Sequence, residues 1–161
     1  MVEVSDVLYL KKKQKKTDRL QSLINKEKIL LIDNSLKTYD SFISQIISSK
    51  KDLVNSVLEL KSQNKKIIAK SCPARAVVLL NYCKLDNSHL DYIAEQPTSL
   101  KLNYIVPGTG LEIISDDILK EDEPDYILLL AWHLSEPIID KWKKRGLKSK
   151  FIVPLPKVES I

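Results

Sequence analysis

Apolar and polar positions change their period twice along these 161 residues. Val2 to Leu10 alternates imperfectly, is rich in β-forming residues and predicts a strand. Thr17 or Asp18 then precedes Leu20, Leu23 and Ile24, the pattern of a capped helix. Asp33-Asn34-Ser35 offers a second cap. From Leu36 the apolar residues fall at Tyr39, Phe42, Ile43, Ile46, Ile47, Leu53, Val54, Val57, Leu58 and Leu60. That spacing predicts one long helix, or two in line, ending near Gln63-Asn64, with one weak turn around Ser48 to Lys51.

Beyond Asn64 short apolar runs alternate with helical stretches. Ile67-Ile68-Ala69 predicts a buried strand, and Pro73 to Cys83 a helix with proline in its first turn. Leu90 to Ala94 predicts a second strand. Pro107-Gly108-Thr109-Gly110 reads as a turn before Leu111-Glu112-Ile113-Ile114, and Ser115-Asp116-Asp117 as the cap of a brief helix. Tyr126 to Trp132 is continuously apolar, as in the centre of a parallel sheet. Glu136 to Arg145 predicts a helix ended by Gly146, and Phe151-Ile152-Val153 a last strand. The fold class is therefore α/β: a Rossmann-like parallel sheet flanked by helices, preceded by a strand and a long helical segment. Residues 1–64 are expected to pack on a core formed by 65–161 as one compact unit.

Composition narrows the classes. No apolar run approaches the ~20 residues that span a bilayer, and the charges of the first residues follow the apolar run, the reverse of a secretory signal. A cytoplasmic protein is expected. Cys72 and Cys83 are the only cysteines, and His89 and His133 the only histidines. Their spacing matches no familiar ligand set, so no metal is expected. The net charge of +5 is uneven: residues 1–75 have a balance of +8 and residues 76–161 of −3. Lys11-Lys12-Lys13-Gln14-Lys15-Lys16 suits either a nucleic-acid contact or a solvated turn. No aromatic residue is interleaved to stack on bases, which favours the turn.

Five phrases then occur in an order shared with one family: LLNYC at 79–83, LDYIAEQP at 90–97, VPGT at 106–109, PDYILLLAW at 124–132 and FIVPLP at 151–156. The chain resembles the C-terminal domain of the S-adenosylmethionine-dependent sugar C-methyltransferases, which act on nucleotide-linked deoxysugars. The resemblance covers residues 65–156 best. It implies an enzyme of three parts: a zinc-binding part, a methyltransferase domain and this Rossmann-like domain. Only the third is legible here. There is no cysteine cluster for zinc, and the three glycines, Gly108, Gly110 and Gly146, form no loop for S-adenosylmethionine. No cofactor is expected in the isolated chain.

The resemblance also implies a glycine-rich turn before the helix at 73–83. Here Ala69 and Ser71 stand where glycines are usual, and Arg75-Ala76 replaces a Lys-Gly pair. Glu95 lies one place from the usual acid after the second strand. The expected ligand-facing set at the carboxyl edge of the sheet is Ser71, Arg75, Glu95, Trp132 and His133. Each also has a plainer reading, Arg75 as a surface charge and Trp132 as packing. Cys72 with His133 as base is a weak catalytic candidate, and His133 alone a candidate acid or base.

The leading expectation is a stand-alone, non-catalytic accessory domain that meets a nucleotide-sugar or a partner methyltransferase. The 36–60 helix would carry the contact with that partner or with a second copy. A small enzyme using His133, or a basic nucleic-acid binder using Lys11–Lys16, are the alternatives.

Overall fold

The structure is a computed structural model that describes residues 17–29 and 35–161. The strand expected at Val2–Leu10, the lysine run and the Asp33-Asn34 cap lie outside the described residues. The chain divides between Ser44 and Gln45 into two compact units.

In the first unit, helix α1 (Asp18–Lys28) begins where Thr17 accepts a hydrogen bond from the Leu20 N–H. Asp18 in its first turn and Lys26 and Lys28 in its last complement the helix dipole. Leu20 and Leu23 remain half exposed. The long helix α2 (Ser35–Ser62) starts in this unit and runs through Ser48–Lys51 without a break. Helical spacing prevails over the weak polar turn there, as Ser48 finds a partner in Asp52 one turn later.

The second unit contains the rest of α2, which buries Leu53 and Val57. Strands β1 (Ile67–Lys70), β2 (Ile93–Glu95), β3 (Ile113–Ser115), β4 (Tyr126–Leu129), β5 (Lys150–Val153) and β6 (Glu159–Ser160) form one sheet in the order β3-β2-β1-β4-β5-β6. The first five are parallel and β6 pairs antiparallel with β5. Helices α3 (Ala74–Cys83), α4 (Leu119–Asp122) and α5 (Ser135–Lys144) connect them. The α/β class, the parallel sheet and the interior place of Tyr126–Leu129 are as the apolar pattern implies.

Alternation along the strands assigns the two faces. Ile67, Ala69, Ile93, Ile113, Leu128 and Ile152 pack with Leu53, Val57, Ala76 and Leu80. Ile68, Ala94, Ile127, Leu129, Phe151 and Val153 pack with Leu119, Ile139 and Trp142. Both faces are covered, so the central strands are apolar throughout. The second strand begins at Ile93 rather than Leu90: Asp86 to Leu90 is spent on a turn whose Leu90 N–H returns to the Asp86 carbonyl, and Asp91 and Tyr92 lead into the strand, bonding to Ile67 and Ala69 of β1.

The link between β2 and β3 is tied back to α3. Asn81 donates to the carbonyls of Val77 and Pro107, at 2.8 and 3.0 Å. Gly108 sits directly against that amide with φ +77°, and a Cβ there would stand 2.2 Å from Asn81 Oδ1. Gly108→Ala would both strain the backbone and displace Asn81. We expect a loss of about 1–2 kcal/mol in urea unfolding. Gly146→Ala, with φ +86° but nothing within 4 Å, should cost only the backbone part.

Candidate functional site at the carboxyl edge of the sheet

Strand order reverses at β1. The chain leaves it for β2 on one side and returns to β4 on the other. In open parallel sheets the crevice beyond the carboxyl ends at such a point is where ligands bind. The residues there are Lys70 to Arg75, Glu95 and the segment Leu130 to His133.

The loop after β1 keeps a glycine-like backbone without glycine. Ser71 has φ +69°, in the left-handed region. That costs a side-chain-bearing residue about 1–2 kcal/mol. Two contacts oppose the cost. The Ser71 N–H donates to the Ala94 carbonyl at 2.9 Å. The Cys72 N–H donates to Glu95 Oε2 at 2.8 Å. A hydrogen bond to a buried carboxylate contributes about 1.5–3 kcal/mol, enough to win. The other Glu95 oxygen accepts from the Gln96 N–H at 2.9 Å. Lys101 completes the clamp, its ammonium donating to the Cys72 carbonyl at 2.6 Å. Glu95 is thus buried with both oxygens engaged by backbone, and its negative charge already faces the loop that leads into α3.

Arg75, Trp132 and His133 form a second group. The Arg75 guanidinium lies 5.6 Å from the Trp132 ring centroid, and the Trp132 and His133 rings meet edge to face at 6.4 Å. Trp132 is half-buried while Arg75 and His133 are exposed. An exposed arginine stacked on an aromatic surface can meet a phosphate while the ring meets a flat or apolar group. The short 3₁₀ turn Trp132–Leu134 that follows β4 presents these two rings.

Cys72 and His133 are not joined by a hydrogen bond among the described residues. Burial pushes the Cys72 thiol up, opposed by Lys101 and reinforced by Glu95. It therefore stays a thiol at neutral pH, in the state that does not attack. Cys83 is likewise a buried free thiol with its pKa raised by burial. Among the described residues no cluster of three or more His, Cys, Asp or Glu side chains could hold a metal ion.

Sequence reasoning missed three residues that shape this edge. Lys70, the last residue of β1, is only 4% exposed, and its ammonium lies 2.8 Å from Asp116 Oδ2, equally buried. The approach is poorly aligned for a hydrogen bond, so that oxygen is held by charge alone. The Trp142 ring flanks the ammonium at 5.9 Å. The signal was a lysine at the end of an apolar run, and an aspartate hidden in a capping pattern that Ser115 fills by itself, accepting from the Asp117 N–H. Lys101 is the third.

With the fold and edge described, the relatives are informative. A profile of the C-methyltransferase C-terminal domain matches residues 5–156. The chain belongs to that family. It is similar to the C-methyltransferase NovU of Streptomyces niveus, 32% identical over 108 residues, which is 66% of this chain and 24% of the relative. The match thus spans about a quarter of that protein's length.

Two outcomes are expected at this edge. Lys70→Met leaves Asp116 buried without a counter-charge and should cost about 3–5 kcal/mol in urea unfolding, much of it recovered by Lys70→Met with Asp116→Leu. Cys72 should react with iodoacetamide at pH 8 far more slowly than free cysteine in the folded chain, and at an ordinary rate once unfolded; equal rates would contradict its burial.

Proposed function

We propose that this domain is a non-catalytic module that works with a methyltransferase domain and a nucleotide-sugar. The observation that carries the reading is the apolar stripe that the described residues leave exposed on the start of α2. Leu36 is 80% exposed, and Tyr39, Phe42 and Ile43 are each more than half exposed. Their spacing puts them on one side of the helix. An apolar stripe of this size is a feature of protein contact surfaces. The matched relative is named as a C-methyltransferase and has three quarters of its length outside the match, which supports a methyltransferase domain as the group that covers the stripe. That domain would be joined to this one in a longer chain or supplied by another polypeptide. Homo-oligomerisation through the same helix is the competing occupant.

The chain's own chemistry supports a binding rather than a catalytic part. The β1–α3 loop has no glycine to admit a cofactor's backbone contacts, and Cys72 is held as a thiol. Arg75, Trp132 and His133 offer a surface for the phosphate and ring of a nucleotide-sugar. Glu95, being committed to the loop, sets the shape of that surface instead of gripping a hydroxyl. Two buried free thiols, and the lack of any described helix long and apolar enough to cross a membrane, support a cytoplasmic setting.

The test is cross-linking of the tagged chain in its native host, with mass spectrometry of the captured proteins. A partner bearing an S-adenosylmethionine site should cross-link near Lys37, and Phe42→Ser with Ile43→Ser should reduce its recovery at least about tenfold. Capture indifferent to those substitutions would remove the stripe from the contact. In calorimetry the isolated chain should take up no S-adenosylmethionine, and Arg75→Ala should weaken any nucleotide-sugar binding and flatten its salt dependence. Micromolar cofactor binding by the isolated chain would overturn the reading.

A further inference from the structure

At the opposite end of α3 from the crevice, α2 and the turn after Cys83 enclose an open groove of about 630 Å³. Its floor is apolar, formed by Ile47 and Val54 of α2 and the ring of Tyr82. Lys50, Lys51, Lys84 and His89 stand around it, and no carboxylate among the described residues lines it. None of the three lysines has an ion-pair partner among the described residues. The Lys50 ammonium lies over the Tyr82 ring, 4.5 Å from its centroid, so one positive charge is already set above the apolar floor.

Two acids lie close in sequence to this rim, Asp52 beside Lys51 and Asp86 near Lys84, and among the described residues neither pairs with a rim lysine; Asp52 accepts from the Ser48 hydroxyl instead. The Asp86 carboxyl accepts from the Ser88 hydroxyl and meets His89 Nδ1 at 2.8 Å. Those contacts, with the Ser88 N–H, hold its pKa down to about 2. Lys84 supplies a second sign that charge matters here. It caps α3 with φ +55°, in the left-handed conformation that glycine adopts at lower cost. A lysine in that position puts an ammonium on the groove at the expense of backbone ease.

We infer that this groove binds an organic anion with an apolar body: a carboxylate, sulfonate or phosphate monoester carried on a ring or short alkyl chain. The volume is that of a small-molecule site, and a few charged groups around a largely apolar lining are what such sites have. The body displaces water from Ile47, Val54 and Tyr82. The anion meets ammonium groups that have no carboxylate to give up first. An inorganic anion would leave the floor wet, and a neutral apolar molecule would leave the lysines unused. The site is distinct from the crevice and does not depend on the function proposed for it.

The test is a titration of the ¹⁵N-labelled chain with 2-naphthoate, followed by amide chemical shifts. The expected result is saturable shifts at Lys50, Tyr82, Lys84 and His89. Neutral 2-naphthylmethanol and inorganic phosphate should each bind at least about tenfold more weakly. Lys84→Gly separates binding from folding, because it removes a charge while easing the helix end. It should weaken naphthoate about fivefold while the thermal midpoint holds or rises, and Lys50→Ala should weaken it similarly. Equal response to the neutral alcohol would overturn the inference, as would shifts confined to other residues or affinity unchanged by both substitutions.

Discussion

A single buried charge pair organises the carboxyl edge of this sheet. Lys70 ends the central strand, and its ammonium must be paired because burial of a lone charge is prohibitive. Its partner, Asp116, follows β3, two strands away. The contact therefore passes over β2, where Ala94 is the residue in register with Lys70. A methyl at that place leaves the lysine room to cross. The pair ties the ends of three strands together, and Glu95, next after Ala94, is held beside the loop it clamps.

That clamp explains how the loop holds a left-handed turn without a glycine. Ser71 retains the left-handed backbone, and hydrogen bonds to Ala94 and Glu95 hold it there. The consequence is electrostatic. A carboxylate now occupies the approach to N–H groups that could otherwise meet a phosphate, and Lys101 takes the adjoining carbonyl. Cationic and aromatic character at this edge lies at Arg75, Trp132 and His133.

The second unit satisfies its own core, with both sheet faces covered and the central strands buried. Among the described residues the exposed apolar surfaces lie outside that core, on the start of α2 and, mixed with cationic groups, in the groove beside Tyr82. A domain that is internally complete yet presents such surfaces has chemistry directed outward. This agrees with membership of a family whose matched relative is four times the length of the aligned segment.

The apolar pattern alone determined the α/β class, the long helix, the interior strand at Tyr126 and the two helices expected at 73–83 and 136–145, each found within one residue of those bounds. Those features follow from local period and burial, which a linear sequence records directly. The five ordered phrases also determined the family. Strand β6 was not legible, since Glu159-Ser160 has no apolar signal and is a strand only because β5 offers an open edge. The role of Glu95 was hidden too: an acid one place along from the usual position looks displaced until Cys72 is seen to point its N–H at it. Lys70 and Asp116, 46 positions apart, carried no mark of each other. Only the crossing of β2 brings them together. Pairings of charge across strands depend on sheet order and register, and these are settled by how the whole chain packs.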